Sequence, residues 1–188
     1  MKKIVFIDRD GVVNKDPEGW TDFSYVTKWD DFIFLPGALD AIKLLNDAGF
    51  MVAVISNQAG ISKKYFTQEE LDLVTDKFKL TVEEHGGKIA GVFYCTHSSA
   101  DNCECRKPKP GLFKKAEECL GIKSKGSFFI GDTERDMEAG KKYGLKTILV
   151  LAGKTHFNDI QKWAVKPDYI FKDLYAAARF IIDKVKKI

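Results

Sequence analysis

The chain has 188 residues, of which 45% are hydrophobic and 30% are charged. This length corresponds to about one domain of ~100–200 residues, and the composition excludes a disordered or collagen-like chain. Lys and Arg outnumber Asp and Glu by 30 to 27, which gives a net charge of +3. So small a surplus argues against nucleic-acid binding and is compatible with a small anionic substrate. No stretch approaches ~18 consecutive apolar residues, so we expect no membrane span.

The start of the chain and its cysteines favour the cytosol. Met1–Lys3 leads directly into an apolar run. This run is too short for a signal peptide and is followed too soon by charged residues. Three of the four cysteines lie within eleven residues. Such crowding indicates metal binding in a reducing compartment. We therefore predict a cytoplasmic protein with a metal-binding loop.

Strand-like and helix-like segments alternate along the chain. A long irregular segment, residues 8–36, separates the first strand from the first helix and is of the length that usually serves function. Apolar runs predict six strands, at Ile4–Ile7, Met51–Ile55, Ile89–Tyr94, Ser127–Ile130, Thr147–Leu151 and Asp168–Phe171. Apolar spacing and end signals predict five helices, at Ala38–Ala48, from the capping box at Thr67 to about His85, and at Pro110–Leu120, Arg135–Tyr143 and Leu174–Val185.

This alternation predicts an α/β fold, a doubly wound parallel sheet with helices on both faces, in a single domain over residues 1–188. Ligands of such sheets bind outside the carboxyl ends of the strands. Polar clusters follow four of the predicted strands: Asp8 and Asp10, then Ser56, then Cys95 to Lys107, then Asp132 and Asp136.

Four carboxylates are expected to converge at this edge of the sheet. Asp8 and Asp10 are two residues apart just past a strand, so in an extended segment they point the same way. Converging carboxylates repel unless a hard cation neutralises them, and Mg²⁺ takes oxygen ligands. One carboxylate could then attack phosphorus and a second could serve as acid and base. Taken singly, each Asp could instead cap a helix or favour a turn.

These residues resemble the four ordered motifs of the haloacid dehalogenase-like phosphatases. The motifs are Asp8–Val12, Ser56–Gln58, Lys107 and Gly131–Asp136, and the resemblance spans residues 4–152. It implies a Rossmann-like fold with a minimal cap, in which only residues 11–36 and 95–108 are free to cover the pocket.

The resemblance also implies the catalytic roles. Asp8 would be the nucleophile that forms an aspartyl-phosphate, and Asp10 would protonate the leaving oxygen and then activate water. The resemblance further implies that Asp8, the Asp10 backbone carbonyl and Asp132 hold Mg²⁺. Ser56 and Lys107 would bind the phosphoryl oxygens. Asp136 would orient Lys107 or a metal-bound water.

A second metal site is predicted in residues 95–105. Cys95, His97, Cys103 and Cys105 match the Cys₃His composition of a tetrahedral structural zinc site, in which no position remains for a catalytic water. Zinc would fix this polar loop and position the adjoining Arg106 and Lys107. The alternative is a set of reduced surface thiols beside a loop histidine. Cys119, on a predicted helix, is expected to be a small core residue.

The spacing of these cysteines resembles the histidinol-phosphatase and heptose-bisphosphatase branch of the family. Arg106–Leu112, Asn57–Ile61 before Phe66, and Ser24–Val26 resemble the heptose-bisphosphatase form. That form implies removal of the 7-phosphate from D-glycero-D-manno-heptose 1,7-bisphosphate. The implied substrate contacts are Arg9, Ser24, Tyr25, Val26, Asn57, Gln58 and Arg106.

The sequence specifies the type of reaction more narrowly than it specifies the substrate. Arg106 can bind the 1-phosphate in a bidentate manner. Lys63 or Lys64 could also contact this phosphate, although the favoured interpretation places both lysines in a solvated loop. Histidinol phosphate is the alternative substrate, for which Asp16 or Glu18 would face the amine, and an inactive binding module is a further alternative.

Two segments depart from the family pattern. Thr133 replaces a basic residue of many relatives, and Glu18–Phe23 resembles a small insertion. We expect a monomer that acts on a small phosphorylated metabolite and binds neither nucleic acid nor membrane.

Overall fold

The computed structural model describes residues 3–186. Met1 and Lys2, on which the argument against a signal peptide partly rests, and residues 187–188 of the predicted domain lie outside this range. Among the helices in residues 3–186, none is long and apolar enough to cross a membrane.

Six parallel strands form one sheet in the order β3-β2-β1-β4-β5-β6, which confirms the predicted fold class. The strands are β1 Lys3–Ile7, β2 Phe50–Asn57, β3 Gly91–Cys95, β4 Phe128–Gly131, β5 Lys146–Val150 and β6 Tyr169–Phe171. The helices are α1 Ala38–Asp47, α2 Gln68–Glu84, α3 Gly111–Leu120, α4 Glu134–Lys142 and α5 Leu174–Lys186. Four short 3₁₀ turns complete the described elements, at Asp22–Ser24, Trp29–Asp31, Ser99–Asp101 and Phe157–Lys162.

The sheet is buried on both faces. Val5 and Ile7 of β1 belong to one apolar cluster, which α1, α2 and α5 cover. Ile4 and Phe6 belong to a second cluster on the opposite face, which α3 and α4 cover. Successive residues of a strand point to opposite faces, so a strand buried on both sides needs a continuous apolar run. This requirement explains why β1 is readable from the sequence as an unbroken apolar stretch.

The long segment after β1 is packed down against α2 by aromatic rings. The ring of Phe32 stacks on that of Phe78 in α2, with centroids 5.3 Å apart, and Phe34 lies edge-on to Phe32 at 4.9 Å. Val26 of the same segment is fully buried. These contacts fix a segment that has little regular structure of its own.

Two strands extend further toward the carboxyl edge than the apolar runs predict. Ser56 and Asn57 belong to β2 and Cys95 belongs to β3, because the ladder continues through the Asn57–Cys95 pair. The expectation for Cys119 is wrong, since this residue is exposed. The apolar face of α3 packs on the sheet through Leu112, Phe113, Ala116 and Leu120 instead.

The strand order places the four polar clusters side by side. The order reverses its direction between β1 and β4, and such a reversal opens a crevice at the carboxyl ends of the strands. Asp8 follows β1 and Asp132 follows β4, so the two carboxylates flank this crevice.

We predict that Phe78→Ala lowers the free energy of unfolding by about 3–5 kcal/mol, because it empties a fully buried ring position between α2 and the segment after β1. Leu80→Ala on the same helix is the matched control, since Leu80 is 55% exposed. It should change the free energy by less than about 0.5 kcal/mol. Urea unfolding followed by circular dichroism measures both variants, and equal midpoints would contradict the packing described here.

Candidate active site

A cavity of about 850 Å³ opens at the carboxyl edge of the sheet. Its floor is formed by side chains from the ends of β1, β2 and β4, among them Asp8, Ser56 and Asp132. Of the residues expected to contact substrate, Ser24, Tyr25, Asn57 and Arg106 line this cavity, whereas Arg9, Val26 and Gln58 do not.

Lys107 joins two carboxylates at the floor of the cavity. Its Nζ lies 2.7 Å from Asp8 Oδ2 and 2.7 Å from Asp136 Oδ1, and it donates to the carbonyl oxygen of Ile55 at 2.9 Å. The backbone of Lys107 is itself fixed by Asn57, whose amide both accepts from its N–H and donates to its carbonyl oxygen, each at 3.1 Å. Asn57 therefore positions Lys107 as well as lining the cavity.

Asp132 lies between two glycines. A Cβ atom on Gly11 would fall 2.3 Å from Asp132 Oδ2, and one on Gly153 would fall 2.2 Å from the same oxygen. The backbone N–H of Lys154 donates to this oxygen at 3.1 Å, and the Thr155 hydroxyl donates to the Asp132 carbonyl. Gly153 to Thr155 are not among the predicted site residues, although a polar cluster after the fifth strand is a readable signal.

The floor of the cavity carries more negative than positive charge. Burial raises the pKa of Asp8 from its usual 3.8 to about 6; the negative charge of Asp136 adds to the rise and Lys107 opposes it. Burial and the charges of Asp136 and Asp8 raise the pKa of Asp132 well above its usual value. Burial alone would lower the pKa of Lys107, but its two carboxylate partners raise it to about 12.

This donor set fits a divalent cation. One oxygen each from Asp8, Asp132 and Asp136 lies within 4.8 Å of the other two. An octahedral Mg²⁺ with oxygens at about 2.1 Å separates opposite ligands by about 4.2 Å, so only a small movement is needed. A cation here would also remove the repulsion that raises the carboxyl pKa values.

Asp10 is surrounded by hydrogen-bond donors that do not line the cavity. Arg9 donates from Nε and Nη2, Asn14 from Nδ2 at 2.9 Å and Gln58 from Nε2 at 2.7 Å. The guanidinium of Arg9 is fully buried, because it points away from the cavity into the core. The structure therefore does not support the predicted substrate contacts of Arg9, Gln58 and the fully buried Val26.

An aromatic group forms one rim of the cavity. Phe23, from the segment that resembles an insertion, stacks on Tyr65 with centroids 4.5 Å apart and planes 9° apart. Lys63 Nζ lies 5.7 Å above the rings of both Tyr25 and Tyr65. Lys63 lines the cavity and Lys64 does not, so the structure separates two neighbouring lysines that the sequence does not distinguish.

The predicted zinc ligands form a compact group. The three Sγ atoms of Cys95, Cys103 and Cys105 are 3.3–3.6 Å apart, and His97 Nδ1 lies 3.3 Å from Cys105 Sγ and 3.8 Å from Cys95 Sγ. A tetrahedral zinc with bonds of about 2.3 Å to sulfur and 2.0 Å to nitrogen requires separations of about 3.5–3.8 Å. Burial raises the pKa of Cys95 to about 12, so a thiolate there needs a cation beside it.

The loop that carries this group contacts the cavity at two places. The guanidinium of Arg106 donates to the carbonyl oxygen of His97 at 3.2 Å. Ser62, next to Lys63, donates to Asp101 at 3.0 Å. Both cationic residues on this side of the cavity, Lys63 and Arg106, are thereby joined to residues 95–105.

Comparison with known proteins identifies relatives over nearly the whole chain. Residues 104–177 match the HAD-hydrolase-like family model. The chain is 36% identical over 180 residues to a D-glycero-β-D-manno-heptose-1,7-bisphosphate 7-phosphatase of Pseudomonas putida, across 96% of this chain and 99% of that one. It is 40% identical over 152 residues to the protein of that name in Neisseria meningitidis, across 81% and 79% of the two chains.

A solved structure is similar at the level of the fold and of the sequence. The D,D-heptose 1,7-bisphosphate phosphatase of B. bronchiseptica, crystallised with magnesium and phosphate, superposes with a TM-score of 0.88 at 30% identity. The match covers 97% of this chain and 99% of that one.

In buffer without Mg²⁺, we predict that the protein loses stability as the pH rises through about 6. The pKa of Asp8 is higher in the folded chain than its usual 3.8, and that of Asp132 is raised as well. The folded chain then holds protons that the unfolded chain has released, and its stability falls as those protons leave. Bound Mg²⁺ opposes this loss, so adding it should raise the melting temperature more at about pH 8 than at about pH 5.

Differential scanning calorimetry with and without Mg²⁺ measures this difference. Asp132→Asn removes one of the clustered carboxylates and should flatten the pH dependence seen without Mg²⁺. A Mg²⁺-induced shift that is the same at both pH values would contradict the assignment.

Proposed function

Because the chain belongs to the haloacid dehalogenase-like phosphatases, in the branch of the heptose bisphosphatases, we propose that it removes the 7-phosphate of D-glycero-D-manno-heptose 1,7-bisphosphate. The 1-phosphate stays on the sugar. The observation that carries the proposal is a buried Asp8 carboxylate, paired with Lys107 and facing a cavity with further carboxylates. The names of the relatives support the heptose as substrate, and those quoted above favour the β anomer.

The first half of the reaction transfers the phosphoryl group to Asp8. A carboxylate oxygen of Asp8 attacks phosphorus, the bond from phosphorus to the sugar oxygen breaks, and Asp10 gives its proton to that oxygen. The other Asp8 oxygen, Oδ1, accepts the backbone N–H of Arg9 at 2.7 Å. This bond holds the carboxylate in one orientation during the attack.

The second half returns the enzyme to its starting state. Asp10, now charged, takes a proton from water, and the water oxygen attacks phosphorus. The bond from phosphorus to Asp8 breaks and inorganic phosphate leaves. The same carboxyl group thus acts first as acid and then as base.

We assign the Mg²⁺ ligands to Asp8, the backbone carbonyl of Asp10 and Asp132, as the family resemblance implies. When bound, Mg²⁺ supplies positive charge beside the phosphoryl oxygens. Both oxygens of Asp136 already accept hydrogen bonds, one from Lys107 and one from Thr133 at 2.6 Å. The family resemblance implies that Asp136 orients Lys107, and its 2.7 Å ion pair with Lys107 Nζ supports that positioning role.

Lys107 and Ser56 are the proposed phosphoryl-binding residues. All three N–H bonds of the Lys107 ammonium have partners, in Asp8, Asp136 and the Ile55 carbonyl. A phosphoryl oxygen must therefore replace one of these partners, and Asp8 is the one whose charge changes when it is phosphorylated. In this proposal the ammonium exchanges the free carboxylate for the phosphoryl group as the reaction proceeds.

The distal 1-phosphate is assigned to the zinc-loop side of the cavity. Arg106 lines this side and is oriented by the His97 carbonyl. Lys63 lines the cavity beside Tyr25 and Tyr65. An arginine can bind phosphate in a bidentate manner, and a lysine adds a point charge.

The alternative substrate, histidinol phosphate, is less well supported by the charges at the rim. Its amine would need a free carboxylate, and the two carboxylates that the sequence suggested for it, Asp16 and Glu18, are already paired. Lys154 Nζ lies 2.6 Å from Glu18 Oε2 and 3.4 Å from Asp16 Oδ1. The monomeric state and the cytoplasmic location stay predictions from the sequence.

Phosphate release in the presence of Mg²⁺ tests the proposed function. The panel contains both anomers of heptose 1,7-bisphosphate, fructose 1,6-bisphosphate, histidinol phosphate and 4-nitrophenyl phosphate. We expect the highest kcat/KM for a heptose anomer, with 1-phosphate as the product. Asp8→Asn should lower turnover by at least about 1,000-fold, because an amide cannot form the covalent intermediate. Asp76→Asn, an exposed change on α2, is the control.

Each contrary result has a definite meaning. A higher kcat/KM for histidinol phosphate would overturn the substrate and keep the mechanism. Substantial turnover by Asp8→Asn would overturn the covalent mechanism.

We also propose that Cys95, His97, Cys103 and Cys105 hold a structural zinc ion. We expect Cys103→Ser to lose most of the bound zinc, measured by plasma mass spectrometry, and to melt at a lower temperature. The reason is that metal binding contributes directly to the folding of a polar loop. Cys119→Ser is the matched control, because Cys119 is exposed on α3, and it should change neither quantity. Full zinc content in Cys103→Ser would refute the ligand set.

A further inference from the structure

Three fully buried side chains surround the carboxylate of Asp10 from behind. Arg9, Asn14 and Gln58 are each 0% exposed, whereas the Asp10 side chain is 17% exposed and lines the cavity. Asp10 Oδ1 accepts from Arg9 Nε at 3.1 Å, Arg9 Nη2 at 3.0 Å and Asn14 Nδ2 at 2.9 Å. Asp10 Oδ2 accepts from Gln58 Nε2 at 2.7 Å and Arg9 Nη2 at 3.1 Å. We call Arg9, Asn14 and Gln58 the donor cradle.

The charged member of the donor cradle is held rigidly on its far side. The Arg9 guanidinium lies 5.9 Å from the ring centroid of Phe32 and 5.5 Å from that of Tyr94, and Nη1 donates to the Tyr94 hydroxyl at 3.4 Å. The Tyr94 hydroxyl lies 3.2 Å from the hydroxyl of Thr75 on α2. A buried polar chain therefore runs from Asp10 to helix α2, and Arg9 cannot turn toward the substrate without breaking it.

The donor cradle is arranged at a cost to stability. Among the buried side-chain atoms of residues 3–186, Asn14 Oδ1 and Gln58 Oε1 have no hydrogen-bond partner. Exchanging the oxygen and nitrogen positions of either amide would not satisfy more hydrogen bonds, because it would point an oxygen at the Asp10 carboxylate. A buried unpaired acceptor destabilises a fold, and a buried ion pair is weak evidence of stabilisation. The buried charge of Arg9 requires a carboxylate partner, but this requirement does not explain why two amides with unpaired oxygens also face Asp10.

We propose that Arg9, Asn14 and Gln58 are positioning residues that fix the carboxyl group of Asp10 for proton transfer to and from the reacting oxygens, and that none of them contacts substrate. This inference rests on the proposed function. Bonds to both oxygens fix the plane of the carboxyl group, so the proton can be delivered along one direction.

Accurate proton delivery matters in proportion to how poor the leaving group is. A sugar alkoxide leaves poorly and needs the proton of Asp10 as the ester bond breaks. 4-Nitrophenolate leaves readily without protonation. Damage to the position of Asp10 should therefore lower kcat/KM for a sugar phosphate more than for the aryl ester. Because kcat/KM reports the steps up to departure of the leaving group, the comparison isolates this transfer.

The test uses Asn14→Leu and Gln58→Met, which keep the approximate shape and remove the amide that donates to Asp10. The Asn14 amide also donates to the Lys15 carbonyl at 2.9 Å, and the Gln58 amide also donates to Ser56 Oγ at 3.3 Å, so Asn14→Leu is the variant that leaves the contacts of the proposed phosphoryl-binding residues in place. We expect kcat/KM for heptose 1,7-bisphosphate to fall by at least about tenfold and that for 4-nitrophenyl phosphate to fall by a much smaller factor. Each substitution removes an unpaired buried oxygen but also takes a donor away from Asp10, so we expect the melting temperature to fall. The discriminating result is the selective loss on the sugar phosphate, because a merely structural role would lower kcat/KM for both esters alike.

Arg9→Lys tests the charged member of the donor cradle. A lysine keeps the positive charge but cannot donate two parallel bonds, so we expect the same selective loss on the sugar phosphate. Thr147→Val is the matched control. Thr147 is also fully buried and hydrogen-bonded to Asp168 at 3.0 Å, but it lies near the amino end of β5, away from the cavity. It should lower the melting temperature and leave both kcat/KM values unchanged.

The possible outcomes separate this inference from the proposed function. Equal losses on both esters, or no loss on either, in variants that fold would overturn the positioning role and leave the phosphatase intact. Wild-type hydrolysis of the aryl ester without that of the heptose would overturn the proposed substrate. In that case, the variants are compared on the alkyl phosphate of the panel that the wild type hydrolyses fastest, in place of heptose 1,7-bisphosphate. A wild type that hydrolyses neither ester would overturn both proposals.

Discussion

The ammonium group of Lys107 is the contact on which the rest of the cavity floor depends. Asp8, Asp132 and Asp136 bring three carboxylates within 4.8 Å of one another in a buried place. Lys107 bonds to two of them and to the end of β2 at the Ile55 carbonyl. Buried charge is tolerated only where it is paired. This one side chain therefore ties together the end of β1, strand β2 and helix α4 at the floor of the cavity.

The placement of most site residues could be predicted because parallel strands bring their carboxyl ends to one edge. Asp8, Ser56 and Asp132 each follow or end a strand, so their convergence needs only the strand assignments and the parallel topology. The direction of a side chain is harder to predict. Alternation along an extended segment was used to place Asp8 and Asp10 together. The same alternation turns Arg9 into the core, where the structure has it.

Other features depend on contacts between distant parts of the chain and leave little local signal. Gly153 is needed because its backbone passes against Asp132, 21 positions earlier, and a glycine after a strand is common without such a reason. Cys119 lies at helical spacing from Leu112 and Ala116, yet the sheet is covered by Leu120 instead. The angle at which a helix packs on the sheet decides which residues at its end are buried. The spacing of apolar residues does not give this angle.

The two proposed metal sites are linked through the chain between them. Residues 95–105 begin at the last residue of β3 and end next to Arg106 and Lys107, so the loop that gathers the thiols also leads into the lysine that is proposed to bind the phosphoryl group. The loop reaches the opposite rim through Asp101 and Ser62. Loss of the zinc ligands should therefore disturb both ends of a bisphosphate at once. The residues free to cover the cavity form only a minimal cap, and under the zinc proposal a metal-fixed loop would provide the rigid wall that a larger cap would otherwise supply.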